Sequence, residues 1–263
     1  MKVITLLNQK GGVAKTTLST HLAQWLAIQG KRVILIDADS QGSATYAVGH
    51  EYEPGFYNLI VRNAEWKDVL RLISPELYEI PNHPVKGQLF LVPSNIETRT
   101  IATVIEDASI VQTRLSELSA VVDYVIVDTS PTPSLLHGSI YTATDYILYP
   151  TKCESLSIQG LQRSMDSLRA ANRYREQYAI QPIEVLGIVP TMFRVKTLEH
   201  KENLAELRKV YKDLVWEPIA LSTIWSESSR MARPVWNLSP DAKAARIALV
   251  FLAQFMKALA QHV

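Results

Sequence analysis

Among 263 residues there is one cysteine, Cys153, which excludes an intrachain disulfide and any CxxC redox or zinc pair. A reducing, cytoplasmic setting follows as the default expectation. Long apolar runs are missing too: the longest, Ile247 to Ala253, stops after seven residues, far short of the 18 or more that a membrane span needs. Val3 to Leu7 is too short for a signal-peptide core and runs straight into Gln9 and Lys10, so nothing directs export. No histidine has a partner at metal-ligand spacing, and no repeat or low-complexity tract occurs. Net charge is scarce as well, 27 basic against 26 acidic residues, and taken alone that balance argues against a nucleic-acid partner.

What is present is the composition of a globular chain, 47% apolar and 20% charged. Short, nearly continuous β-branched runs predict strands at Val3–Leu7, Val33–Asp37, Leu89–Pro93, Tyr124–Asp128, Tyr146–Pro150 and Val185–Pro190. Between them, apolar residues at helical spacing predict helices over Thr16–Gln29 and Ser155–Gln177, and a last one over Asp241–His262 that packs on the sheet through Ile247, Val250, Phe251, Phe255 and Leu259. Alternating strands and helices predict an α/β fold, a mostly parallel twisted sheet with helices on both faces. Pro54-Gly55 and Asn82-His83-Pro84 mark loops, but no linker separates two bodies, so residues 1–263 are expected to form a single domain.

Between the first strand and helix lies Asn8-Gln9-Lys10-Gly11-Gly12-Val13-Ala14-Lys15-Thr16-Thr17. A glycine-containing loop opening a helix turns backbone N–H groups and a positive helix end toward an anion, which suits polyphosphate. Lys15 would reach the β and γ phosphates and the Thr16 hydroxyl would ligate Mg²⁺. The strict pattern GxxxxGK[ST] fails, because Gln9 and Ala14 stand where it has glycine; a plain Gly-Gly turn with an incidental Lys-Thr stays open at this point. The dinucleotide alternative, with Asp37 on a ribose, needs GxGxxG, and only the adjacent pair Gly11-Gly12 is present. Asp37 and Asp39 end the second strand and share a side of it, while Asp128 ends the Tyr124–Asp128 strand, where a carboxylate can hold a magnesium-bound water. Lys152, just past the strand Tyr146–Pro150, is either a further cation for the nucleotide or dimer partner or a solvated loop lysine. Cys153 reads as a packing residue, and the five tryptophans, at 25, 66, 216, 225 and 236, are too scattered for a stacking platform and are expected in the core or an interface.

Lys10 to Thr16, KGGVAKT, resembles the deviant Walker A motif KGGxxK[ST] of the ParA/MinD-type P-loop ATPases, which does not require glycine at position 14. In family order follow VILIDADSQG (33–42), LVPSNI (91–96), VIVDTSP (125–131), GIVPTMFR (187–194) and the stretch from Ser226-Glu227 to Arg233-Pro234-Val235. The resemblance implies a P-loop NTPase fold with ATP and Mg²⁺ as cofactors. It implies a sandwich homodimer in which Lys10 reaches the partner's nucleotide, Asp39 orients the attacking water, and Asp37 lies near the magnesium shell. Residues 10–17 would bind the triphosphate, with adenine near Thr191-Met192 and the segment around Pro218. Ser40 stands where the family usually has proline, which puts the hydrolysis rate in question.

The charge is segregated. Residues 1–193 hold 16 basic and 19 acidic side chains, and residues 194–263 hold 11 and 7, so the whole-chain +1 is the sum of −3 and +4. The resemblance implies non-specific DNA binding by this C-terminal part, with Arg194, Lys196, Lys201, Lys209, Arg230 and Arg233 as the candidate contacts. Glu199, Glu202 and Glu206 could instead neutralise the first cluster at helical spacing, and Leu221 to Trp225, LSTIW, lacks arginines common nearby in the family. Membrane attachment is not expected, because Ile247 to Val263 carries one cation, Lys257. An iron–sulfur carrier lacks its cysteines, and a helix-turn-helix reader has no room before the first strand. The implied function is a partition ATPase, cytoplasmic and nucleoid-associated, working with a ParB-like or other adaptor on plasmid or chromosomal DNA. A protein cargo such as a bacterial organelle or chemoreceptor cluster, or an ATP switch without DNA binding, are the alternatives.

Overall fold

The computed structural model describes residues 1–81 and 83–262. Seven strands form one sheet: β1 (Lys2–Leu6), β2 (Arg32–Ala38), β3 (Arg71–Leu72), β4 (Gln88–Val92), β5 (Tyr124–Thr129), β6 (Tyr146–Lys152) and β7 (Glu184–Thr191), in the order β3-β4-β2-β5-β1-β6-β7. All pairings are parallel except β3 with β4. All six strands expected from the sequence are present. β3 was not expected: its two residues sit at the sheet edge, too short to show any alternation.

The five helices of nine residues or more are α1 (Lys15–Ile28), α2 (Leu135–Ala143), α3 (Ser155–Gln177), α4 (Leu198–Tyr211) and α5 (Lys243–Ala260). On one face, α1 and α5 cover Ile4, Leu6, Leu35, Ile126 and Leu148 with Leu22, Leu26, Phe251 and Phe255. The opposite face divides: α2 closes Val3, Ile36 and Val127 with Leu136 and Ile140, while α3 and α4 close Ile147, Tyr149 and Ile188 with Leu161, Leu168 and Leu207. Strands clothed on both faces explain the continuous apolar runs. α5 packs as its pattern predicts, except that Val250 is half exposed at 50%. No described helix is long and apolar enough to cross a membrane.

β1 lies between β5 and β6. Its successor β2 lies beyond β5, so the connections after β1 and β5 leave the sheet in opposite directions, and a crevice opens at the strands' carboxyl ends there. The phosphate loop leaves from β1 at that crevice.

Candidate functional site

The loop after β1 is held from below and from the side. Asn8 donates through Nδ2 to the Pro150 carbonyl (2.8 Å) and accepts the Lys10 N–H (2.9 Å). Gln9 N–H donates to Ser164 Oγ (3.0 Å) and its side-chain amide to Ser167 Oγ (2.9 Å), both on α3. Gly160 allows this approach, since a Cβ there would stand 3.0 Å from Lys10 Cβ and from Asn8 Oδ1. Gly12 and Ala14 both adopt left-handed backbone, with φ of +66° and +69°. At Ala14 that conformation costs about 1 kcal/mol, and a β-branched side chain would tolerate it far less. Ala14→Val should therefore lower stability by about 1–2 kcal/mol, read as a drop in the denaturant midpoint; an unchanged midpoint would contradict the strain assigned to this turn.

The Lys15 side chain folds back under the loop, 7% exposed, with Nζ donating to the carbonyls of Asn8 (3.3 Å) and Lys10 (3.5 Å). Burial lowers its pKa, opposed by the charges of Asp128 and Asp39. Thr16 Oγ1 donates to Asp128 Oδ2 at 2.7 Å and Ser19 Oγ to Asp128 Oδ1 at 3.1 Å. Asp37 and Asp128 are register partners on β2 and β5, and both are fully buried. Burial pushes Asp37 up to about 7, with Asp128's charge adding to it, and pushes Asp128 up to about 6.

Asp37 and Asp39 have different surroundings. Both Asp37 oxygens are engaged, by Asp39 N–H (3.2 Å) and by the Thr45 N–H and hydroxyl (2.8 Å each). Asp39 is half-buried at the cleft, and its Oδ1 accepts the Gln41 N–H (3.0 Å). Gly42 turns this segment with φ +65°, and a Cβ there would meet the Tyr52 ring at 2.4 Å.

Gly11 to Thr17, Asp39, Ser40, Ser130 and Met192 line a cleft of about 890 Å³, whereas Asp37 and Asp128 are not part of its lining and stand behind it. A smaller, mostly apolar pocket of about 200 Å³ adjoins it, bounded by Ala14, Thr17, Met192, Leu221, Trp225 and Ser229. Met192, at φ +51°, faces both. Pro218 does not line either one. The chain from Trp216 to Ile219 runs along the β7 edge, with Trp216 N–H to the Ile188 carbonyl and Ile219 N–H to the Pro190 carbonyl. That turns Pro218 into a separate groove with Lys243, Arg246 and Val250, and leaves Ile219 to Ser222 on the pocket.

Lys10 and Lys152 lie outside the cleft lining. Lys10 is half-buried beside α3, and Lys152 is the half-buried last residue of β6, opposite Thr191. Tyr46, Tyr52, Arg99 and Ser134 line the cleft without having carried any sequence signal. His137 also escaped notice: its Nε2 meets the Ser130 carbonyl (3.0 Å) and its Nδ1 the Ser134 hydroxyl (3.2 Å), so it braces the loop after β5. A lone histidine nine residues past Asp128 gives no pattern to find.

The donor set suits a hard cation. Among the described residues there is no group of three or more His, Cys, Asp or Glu side chains able to cage a metal. The Thr16 hydroxyl and Asp128 carboxyl are all-oxygen and adjacent, which fits Mg²⁺ held chiefly by phosphates and water.

Residues 1–180 match the family model described as an AAA domain. The chromosome-partitioning ATPase Soj of Thermus thermophilus is 30% identical over 248 residues, covering 92% of this chain and 90% of its own. The chain belongs to the ParA-type P-loop ATPases. The sporulation initiation inhibitor protein Soj of Bacillus subtilis is 27% identical over 252 residues, covering 94% of this ParA-type chain and 95% of its own. A solved ATP complex of a McdA variant from Cyanothece superposes with a TM-score of 0.81 at 22% identity, over 99% and 96% of the two chains; that likeness is one of fold.

In this ParA-type chain the scattered tryptophans partly converge. His21, buried on α1, has ring neighbours Trp225 and Trp236, each 5.2 Å away, and Trp25 lies 6.1 Å from Trp236. Packing, as expected, is their surroundings, but two of them, more than 200 residues from His21 in sequence, meet at its imidazole, and Trp25 joins through Trp236. Burial lowers the His21 pKa to about 4, with the Thr17 carbonyl opposing. The unfolded chain therefore takes up a proton here that the folded one refuses, so this contribution to stability is intact above about 6.5 and is lost as pH falls toward 4. Asp37 and Asp128 titrate with the opposite sense, so a difference isolates His21. The stability of wild type minus that of His21→Gln should fall by roughly 3 kcal/mol between pH 7 and pH 4, measured by urea unfolding; a pH-independent difference would refute the buried neutral ring.

Proposed function

We propose that this chain is a single-domain, ATP-driven partition ATPase of the cytoplasm and nucleoid. ATP and Mg²⁺ bind at the cleft, two copies close around two nucleotides, the dimer holds DNA without sequence preference, and an adaptor of ParB-like role stimulates hydrolysis and release, moving plasmid or chromosomal DNA. The observation that carries the nucleotide part is a buried Lys15 ammonium with only carbonyl partners among the described residues, beside a Thr16–Asp128 pair, under the Gly11 to Ala14 turn, whose N–H groups have no acceptor among those residues. Each of these is a group waiting for a phosphate or its metal.

In this reading Gly11 to Thr17 cradle the phosphates, Lys15 neutralises the β and γ oxygens, and Thr16 with Asp128 would hold the magnesium shell. Mg²⁺, when bound there, would offset the charge that develops on the phosphate oxygens. Asp37 braces Thr45 and Asp39 more than it faces a ligand, so its part in the metal shell is indirect. Asp39 orients water. Lys10, whose N–H is held by Asn8 and whose Nζ has no hydrogen-bond or ion-pair partner among the described residues, would reach a neighbouring subunit's nucleotide, with Lys152 as a further cation for it. The base fits the smaller pocket beside Met192.

For DNA, the supporting observation is unpaired charge. Of the 11 cations from residue 194 onward, only Arg208 has a carboxylate at salt-bridge distance, Glu217 at 3.1 Å, among the described residues. Glu199, Glu202 and Glu206 neutralise none of their neighbours there. The six candidates are all exposed but sit on two separately packed elements: Arg194, Lys196, Lys201 and Lys209 on α4 and its approach, Arg230 and Arg233 on the segment against α1. With about six phosphates neutralised per dimer, affinity for an unrelated duplex should fall on the order of 1,000-fold between 50 and 200 mM salt and should require ATP. Filter binding or anisotropy with a non-hydrolysable analogue tests this. An affinity indifferent to both salt and nucleotide would leave an ATP switch without DNA.

A further inference from the structure

We propose that His21 is a positioning residue that makes the 224–238 segment, and with it Arg230 and Arg233, respond to what occupies the phosphate loop. The inference rests on the nucleotide reading above and adds the route by which occupancy reaches the surface. Val235 N–H can only donate, and it meets His21 Nε2 at 3.1 Å, so Nε2 accepts and the ring proton sits on Nδ1, donating to the Thr17 carbonyl at 2.7 Å. One rigid ring thus spans two elements with both nitrogens used. Thr17 lines the cleft itself. A shift of its carbonyl when phosphate loads the loop moves a ring clasped between Trp225 and Trp236, which has no slack to absorb it.

The far side of this contact is equally tied. Trp236 Nε1 donates to the Tyr78 carbonyl (2.9 Å). Trp225 and Ser229 bound the smaller pocket, and Ser229 also lines the cleft. Ala232 abuts Gly49, where a Cβ would lie 3.2 Å from the Ala232 Cβ, so the segment also touches the end of the Asp37–Gly49 stretch. Arg230 and Arg233 are exposed on this same short segment. Nucleotide-contacting and solvent-facing cationic positions therefore share one small body whose placement His21 fixes. Any coupling is reciprocal: DNA on the segment must raise nucleotide affinity by the factor that nucleotide raises DNA affinity.

The relay is broken most cleanly at its backbone donor. Val235 is the first residue of the helix Val235–Leu238, and Pro234 before it has φ −67° and ψ 158°, a conformation that accepts a following proline. First helical positions favour proline, so Val235→Pro deletes the N–H on a compatible backbone, and its ring Cδ displaces the His21 imidazole from that contact. His21→Leu removes both hydrogen bonds, and His21→Gln, which keeps a donor and an acceptor, serves as the rescue. Hydrogen exchange with and without a non-hydrolysable ATP analogue reads the response of residues 224–238 directly. In wild type the analogue should slow exchange there at least several-fold. In H21L and V235P it should bind within about threefold of wild type, yet slow exchange only near residues 9–17, with H21Q restoring the distant effect. In a DNA titration the gain that wild type shows on adding analogue should shrink at least about threefold in the same two variants. Wild-type-like protection of 224–238 in V235P, or no response of that segment in wild type, overturns the relay. A wild-type chain whose exchange responds but whose DNA affinity does not instead refutes DNA binding and leaves the relay standing.

Discussion

Replacing Lys15 with alanine should abolish measurable ATP binding, a loss of at least about 100-fold, while leaving the nucleotide-free protein as stable as before or more so. The two halves follow from one geometry. Among the described residues, Lys15 Nζ has only two carbonyl oxygens as partners, at 3.3 and 3.5 Å, and burial already lowers its pKa. An ammonium so placed has lost its water and gained no ion pair, a state that disfavours the empty fold. A triphosphate in the cleft supplies the missing counter-charge, so the same lysine that burdens the empty protein stabilises the loaded one. Thermal unfolding with and without ATP separates the effects: wild type should shift upward with nucleotide, and Lys15→Ala should start no lower and not shift. A retained shift would remove Lys15 from the site. A large drop in the nucleotide-free melting point would mean the side chain is a packing element.

Strands buried on both faces were legible because their signal is local and redundant: Val33 to Asp37 and Tyr124 to Asp128 are unbroken apolar runs that end in an acid. β3 escaped because two residues carry no period. At the site, residues from one contiguous loop or at a strand end, such as Lys15, Thr16, Asp39 and Asp128, could be named in advance, since a phosphate cradle is built from consecutive backbone. Residues that reach the cleft by tertiary packing could not. Tyr46, Tyr52 and Arg99 come from the connections after β2 and β4, two of them on short helical turns, and His137 from α2, with nothing in spacing to join them. The same distinction explains Pro218. Resemblance named Met192 and Pro218 for the base; Met192 lines both the cleft and the smaller pocket, but the Trp216 and Ile219 backbone bonds carry Pro218 past them and leave Ile219 to Ser222 on the smaller pocket. His21 is the furthest case: a histidine amid an apolar helix gives no hint that it will accept a bond from residue 235.

Asp39→Ala should uncouple hydrolysis from binding, lowering turnover at least about 100-fold while ATP affinity stays within about threefold of wild type. The loop does not need this side chain for its shape. The Asp39 carbonyl accepts both Gly42 N–H (2.9 Å) and Ser94 Oγ (2.7 Å), and Asp37 holds the Asp39 N–H from behind. What the carboxyl adds is a half-buried acceptor at the cleft, engaged on one oxygen by Gln41 N–H and with no hydrogen-bond donor on the other among the described residues. An acceptor so placed can orient a water for attack without contributing to ground-state binding, and removing such a group lowers the rate alone. Asp37→Ala makes the contrast, because it strips Thr45 of two bonds and Asp39 of one and should cost stability and binding together. Single-turnover hydrolysis decides the rate, and size-exclusion chromatography with ATP should show the Asp39→Ala chain held as a dimer that wild type leaves as it turns over. Wild-type turnover in Asp39→Ala would move the water-orienting role elsewhere in the cleft, and Ser40 and Ser130 line the same wall. Parallel loss of binding and rate would instead make Asp39 part of the phosphate cradle.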